Sequence, residues 1–229
     1  MGYYYYDLTY ILVIIGAVIP FLASAKVKNT FKKYSKYMAS CGMNAEEVAS
    51  RILQENGCYD VKVRHTSGHL TDNFNPGSMT LNLSDSVYGS KSIAAIAVAA
   101  HESGHAIQRN EEYTPMKIRS LFVTPANFGS KMGIPAVILG LVLSFQPLIS
   151  IGIILFSLGF LFQVITLPVE FDASKRALEI LEGMGILQGD ENSAAKKVLS
   201  AAALTYVAAA GASLLSLLRL ILISRGRKD

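Results

Sequence analysis

The run AVAAHESGHAIQ sets His101, Glu102 and His105 in an HExxH pattern. On a helix, side chains four residues apart project from one face about one turn apart, so both imidazoles can hold the same ion, as two of the three protein ligands of a catalytic zinc. Glu102 stands beside them, placed to take a proton from a metal-activated water, which is metallopeptidase chemistry. The surrounding alanines favour helix, the local structure the pattern needs. The chain has four histidines, and the other two, His65 and His69, lie upstream.

A catalytic zinc needs a third protein ligand and one position left open. The metzincin extension would put a histidine where Glu111 stands and a glycine where Gln108 stands, so that arrangement is excluded. The remaining donors are His65, His69 or a downstream carboxylate among Glu170, Asp172, Glu179, Glu182, Asp190 and Glu191. Glu170 is the best choice. It ends an apolar run at PVEFDASKRAL, with Ala173, Ala177 and Leu178 continuing in helical phase, and it can meet the HESGH helix if both pack at the inner membrane surface. The oxyanion of peptide hydrolysis also needs a hydrogen-bond donor; Asn73, Lys175, Arg176, His65 and His69 are the candidates, unranked by sequence.

The elements that must bring a helix and a distant carboxylate together are unusually apolar. Of 229 residues 51% are hydrophobic and the mean hydropathy is +0.36, too apolar for an average soluble domain. Residues 8–25 are uncharged and long enough for one membrane crossing. Residues 132–169 are also uncharged, and at about 1.5 Å per residue a single helix of them would overrun a bilayer, so a two-span hairpin is expected. Its turn falls at Ser144–Pro147, and its short first arm begins near Val123 if Lys131 snorkels. Residues 198–223 form a further span or interfacial helix, with Ala208, Ala209, Ala210, Gly211 and Ala212 allowing close packing. The expected organisation is one membrane-integrated domain, with residues 26–131 carrying the HExxH helix and 170–197 the third ligand.

Charge sets the expected orientation. The leading MGYYYYD has no Lys or Arg, whereas Lys26, Lys28, Lys32, Lys33 and Lys36 follow the first apolar stretch. That argues against a secretory signal cleaved at Ala23–Ala25 and for an uncleaved anchor, with the active site facing the cytosol at the plasma membrane and Tyr3–Tyr6 at the outer interface. A full last crossing would leave Arg225, Arg227 and Lys228 outside, against the same rule, and Arg219 near its end adds to the conflict. Either the last helix lies partly in the interface or the orientation is reversed. The net charge of +4 gathers beside the apolar stretches, which fits an anionic lipid leaflet and not nucleic acid. Cys41 and Cys58, without CxxC spacing, read as free thiols.

Between the first span and the hairpin the pattern is small α+β. Asn44 with Glu47 reads as a capping box, Val48, Ile52 and Leu53 as a helix face, and Gly57 as its stop. Tyr59–Arg64 and Met79–Leu83 alternate as strands, NFNPGS (73–78) reads as a turn, and Ser90 and Ser92 offer caps for the HESGH helix. The second strand either aligns an extended peptide by edge pairing over the metal or is a core strand. The expected fold is mainly α, helical spans plus a small α+β zincin-like portion with a short sheet beside the HExxH helix.

HESGH followed by a hairpin and then EFDAS resembles membrane-embedded gluzincin peptidases of the HtpX type. The strings LTDNFNPGSMTLNLSDSVYGSKSIAAIAVAAHESGHAIQ and LPVEFDASKRAL are more closely similar to the YugP family of neutral zinc metallopeptidases, over nearly the whole chain. That resemblance implies His101, His105 and Glu170 as zinc ligands and Glu102 as general base. Ser174 departs from the HtpX pattern, which has an aspartate there to orient a histidine, so Asp172 serves instead or the metal is held more weakly. The expected function is a membrane-anchored zinc endopeptidase acting on protein or peptide substrates, in membrane-protein quality control. Two rivals are a scaffold with a structural zinc and an intramembrane protease of the site-2 type, though Ser92–Ala100 is short for a span and no LDG motif is present.

Overall fold

The HESGH run lies on a helix capped as its serines imply. In the computed structural model, which describes residues 9–225, the elements are α1 (Tyr10–Tyr34), α2 (Ala45–Glu55), β1 (Lys62–Thr66), β2 (Asn73–Asn75), β3 (Thr80–Ser84), α3 (Ile93–Asn110), α4 (Thr114–Val142), α5 (Gln146–Gly183) and α6 (Asp190–Arg225). Three helices, α1, α5 and α6, are long and apolar enough to cross a membrane. The fold is that of a mainly α membrane protein with a small α+β portion. The expected first arm of the hairpin belongs to α4, which is not among the three, its apolar run being diluted by Pro125, Lys131 and Pro135. Contacts divide the chain into two units.

One unit takes, of the described residues, 9–23, 118–166 and 205–225. Here α4 and α5 approach at backbone distance: a Cβ on Gly133 would fall 2.8 Å from the Phe156 nitrogen, and one on Gly152 would fall 2.7 Å from the Val137 nitrogen. Such small-residue contacts let helices pack where lipid supplies no hydrophobic drive. The turn between them is Leu143–Phe145, with Ser144 at φ 52°, one residue earlier than expected. Pro147 falls in the first turn of α5, where its missing N–H costs nothing. Amide–hydroxyl bonds join α5 to α6, Gln146 Nε2 donating to Ser224 Oγ at 2.9 Å and Ser213 Oγ to Gln163 Oε1 at 3.0 Å. Arg219 has partners of its own. Its guanidinium lies 4.5 Å from the Tyr10 ring centroid, and its Nε donates to Thr9 Oγ1 at 3.4 Å, at the start of α1. The tyrosines at 3–6 and the basic Arg227 and Lys228 lie outside the described residues.

The other unit takes residues 24–117 and 167–204. Asn44 and Glu47 form the capping box of α2, each side chain accepting from the other's backbone N–H at 2.9 Å. Val48, Ala49, Ile52 and Leu53 bury the α2 face in the same core as Ala94, Ile96, Ala97 and Ala100 of α3. Ser92 alone caps α3, accepting from Ala95 N–H at 3.2 Å, while the Ser90 hydroxyl pairs with that of Ser92. The sheet has the order β1-β3-β2, with β1 parallel and β2 antiparallel to β3.

Two readings change here and one open choice is decided. The first strand starts at Lys62, not Tyr59, because Tyr59 is 81% exposed and Cys58–Val61 closes a turn. Asn73–Asn75, expected in a turn, pairs with β3 before the chain turns at Pro76. Of the two readings left open for the second strand, the core strand holds: β3 is paired on both sides and has Leu81 and Leu83 fully buried, and an outer edge belongs to β2. Cys41 and Cys58 are free.

Candidate metal centre

One residue of the HESGH run contributes by lacking a side chain. A Cβ on Gly104 would stand 2.8 Å from the Ala173 carbonyl oxygen and 3.3 Å from its Cα, so α3 and α5 touch backbone to backbone between the two histidines. That approach carries Glu170 of α5 to the imidazoles. Its Oε2 lies 3.3 Å from His101 Nε2 and 3.5 Å from His105 Nε2, and the donor atoms of all three residues lie within 4.8 Å of one another. Two ligands of a tetrahedral zinc with bonds of roughly 2.0–2.1 Å stand about 3.4 Å apart, so the spacing fits that ion.

The electrostatics point the same way. Glu170 is 2% exposed, and its Oε2 has no hydrogen-bond partner among the described residues. A buried carboxylate oxygen left so costs several kcal/mol, by order of magnitude, unless a cation neutralises it. Burial by itself would push the His105 imidazole down, but the facing Glu170 carboxylate, the Glu102 charge and Gln108 outweigh it and leave the group raised. The position between these side chains therefore favours positive charge.

Each imidazole is fixed from behind. Gln108 is fully buried and donates through Nε2 to the Val169 carbonyl at 2.8 Å and to Asp172 Oδ2 at 2.7 Å. Its Oε1 must then face His105 Nδ1, 3.0 Å away, and since an amide oxygen only accepts, Nδ1 carries the proton and Nε2 is left for a metal. Asp172 in turn takes Arg176 Nε at 2.6 Å, and Arg176 Nη1 donates to Glu111 Oε2 at 2.6 Å. His101 is held by Ser174, whose hydroxyl lies 3.1 Å from Nδ1. The expectation that Asp172 would replace Ser174 is thus corrected. Ser174 does meet His101, and Asp172 serves His105 through Gln108, because helical phase turns the two residues of α5 toward different turns of α3.

Glu102 lies half-buried, its Oε2 accepting from the Phe74 N–H of β2 at 2.9 Å. The strand read as a turn is therefore the one that touches the proposed base. His65 is bonded to Asp85 at 2.6 Å and His69 packs edge-on against Phe31, which removes both from the list of third donors. The expected oxyanion donors are also engaged elsewhere: Asn73 bonds Thr71 and Asn82, Lys175 lies 3.7 Å from Glu179, and Arg176 is held as described. Gln108 was the residue sequence reasoning passed over. Its only signal was a polar side chain three residues beyond His105, on the same buried face.

Over residues 9–225 the chain matches the family described as "Putative neutral zinc metallopeptidase". The chain belongs to this family. A relative within reach of direct comparison is the "Putative membrane protease YugP" of Bacillus subtilis (strain 168), 46% identical over 218 residues, covering 95% of this chain and 97% of that protein. No solved structure gives a significant match. Family membership and relative agree with the donor chemistry: two imidazoles and a carboxylate are a zinc-binding set.

Proposed function

We propose that this chain is a membrane-anchored zinc endopeptidase in which His101, His105 and Glu170 hold the metal and Glu102 is the general base. The observation that carries this reading is a donor triad buried around one orphaned carboxylate oxygen, with no fourth His, Cys, Asp or Glu joining it among the described residues. Structural zinc sites are closed by four protein ligands, whereas catalytic ones keep a position open. Zinc held there supplies Lewis acidity, making water acidic enough to attack at neutral pH and polarising the scissile carbonyl. Glu102, steadied by the Phe74 N–H, accepts the proton released as the C–O bond forms and delivers it to the leaving nitrogen as the C–N bond breaks. Gln108 and Ser174 keep both imidazoles aimed at Glu170.

The intramembrane rival is disfavoured because α3 is not among the helices long and apolar enough to cross a membrane. The positive charge following the apolar part of α1 supports a site facing the cytosol, where membrane-protein quality control would supply substrates. Glu102→Gln tests the reading in purified protein and in native membranes. Zinc content should equal wild type while release of peptides from a casein-like unfolded substrate falls by at least about a hundred-fold. Unchanged cleavage would remove Glu102 as base, and identical peptide profiles from wild-type and variant membranes would remove the protease assignment.

A further inference from the structure

Away from the metal centre, α1 and α6 enclose a groove of about 580 Å³ into which four lysines project. Lys26, Thr30, Lys33 and Tyr34 recur along one stripe of α1, at i, i+4, i+7 and i+8; Ser193, Lys197, Ser200 and Ala201 repeat that spacing on α6, with Lys196 and Leu204 beside them. No carboxylate lines the groove. None of the four lysines makes an ion pair among the described residues, and Lys33 has only a cation–π contact, 5.3 Å from the Tyr34 ring centroid. Asp190 and Glu191 line an adjoining cavity that shares Lys33 and Tyr34 with the groove; neither acid pairs with Lys33 among the described residues, and Glu191 is taken by the backbone N–H and hydroxyl of Ser40. Four lysines that line one groove and have no ion-pair partner among the described residues repel one another, and a bound anion relieves that repulsion.

Position along the helices says which anion. Residues 8–25, before Lys26, are uncharged, and so are residues 198–218, after Lys197. On both candidate membrane helices the lysines thus stand where the apolar stretch gives way to polar sequence, the level at which phospholipid headgroups lie. Tyr34, Ala201 and Leu204 give the groove apolar wall that a free inorganic anion would not use but a glycerol backbone and the root of an acyl chain would.

We propose that this groove binds the phosphate headgroup of an anionic phospholipid, with Lys26, Lys33, Lys196 and Lys197 on the phosphate and Thr30 and Ser200 as hydroxyl donors. The inference rests on the membrane character of the chain and is independent of peptidase activity. Native mass spectrometry of the purified full-length protein, titrated with equal phosphatidylglycerol and phosphatidylcholine, tests it. Wild type should retain phosphatidylglycerol selectively, and Lys26→Gln/Lys33→Gln/Lys196→Gln/Lys197→Gln should lose up to about 600-fold in affinity, about five-fold per lysine if the four act additively. Lys28→Gln/Lys32→Gln/Lys36→Gln/Lys91→Gln removes the same charge outside the groove and should change retention by no more than a few-fold. If the groove variant is not recovered folded, its two helix-wise double variants should each show an intermediate loss. Equal loss in both quadruple variants, or no loss in the groove variant, overturns the proposal. Displacement of the lipid by millimolar inorganic phosphate would make the groove a free-anion site and overturn it too.

Discussion

Gly104→Ala puts the helix contact itself under test. The added methyl would meet the Ala173 carbonyl oxygen at 2.8 Å, where ordinary contact is about 3.4 Å, so α3 and α5 must part or slide by roughly 0.6 Å. Both contacting atoms are backbone, so no side chain can swing away to absorb the strain. Zinc sites tolerate donor displacements of only about 0.2 Å, and Glu170 lies one helical turn before Ala173, so most of that shift reaches the carboxylate. Overpacking of this size costs about 1–3 kcal/mol in stability, which a folded protein can bear, while lost donor geometry should lower zinc affinity by about 10–100-fold. Competition against a chromogenic chelator in detergent gives the affinity, and thermal melting of metal-free protein gives the stability. Wild-type zinc affinity in a folded Gly104→Ala protein would refute the idea that backbone contact between α3 and α5 sets the donor spacing.

The remaining expectations concern the groups behind the histidines and can be ranked. Gln108→Leu, nearly equal in size, strips the partner from His105 Nδ1 and leaves the Val169 carbonyl and Asp172 short of a donor; zinc affinity should fall by about 10–100-fold, measured by the same competition. Ser174→Ala removes one half-buried hydroxyl from His101 and should cost less than Gln108→Leu, on the order of ten-fold or below; a larger loss would reverse the assigned importance of the two supports. Arg176→Met frees Asp172 from its cation and should weaken zinc binding only indirectly, by a few-fold, with the loss vanishing in a Gln108→Leu background if Gln108 is the route; additive losses in the double variant would sever that link.

The candidate site was largely legible because its motif is local. HExxH needs nothing but helical phase, and Ser92 and the alanines supply the helix. Glu170 was readable from its place where an apolar run ends. What places it against α3 was not, since Gly104 looks like a tolerated helix glycine until Ala173 is seen across from it. Gln108 was hidden for a related reason: its bonds to Val169 and Asp172 run to another helix, and spacing along the chain shows only that it follows His105 by three residues. Ser174 was noticed at its position, but its contact with His101 was not readable. The β2 strand was misread because NFNPGS is rich in turn residues, and three residues of tertiary pairing to β3 override that preference. The apolar stretches marked the membrane helices but not their ends, because α1 runs on through its lysines to Tyr34 and α6 starts well before its uncharged stretch.

The central claim is that two imidazoles and one carboxylate share a zinc ion. X-ray absorption at the zinc edge, on purified wild-type and Glu170→Ala protein, addresses it without reference to activity. The account predicts about one zinc per wild-type chain, two imidazole nitrogens among light-atom ligands at roughly 2.0–2.1 Å, and a sharp loss of bound metal in the variant. Full zinc retention by Glu170→Ala, or a sulfur shell at about 2.3 Å drawn from Cys41 or Cys58, would contradict it.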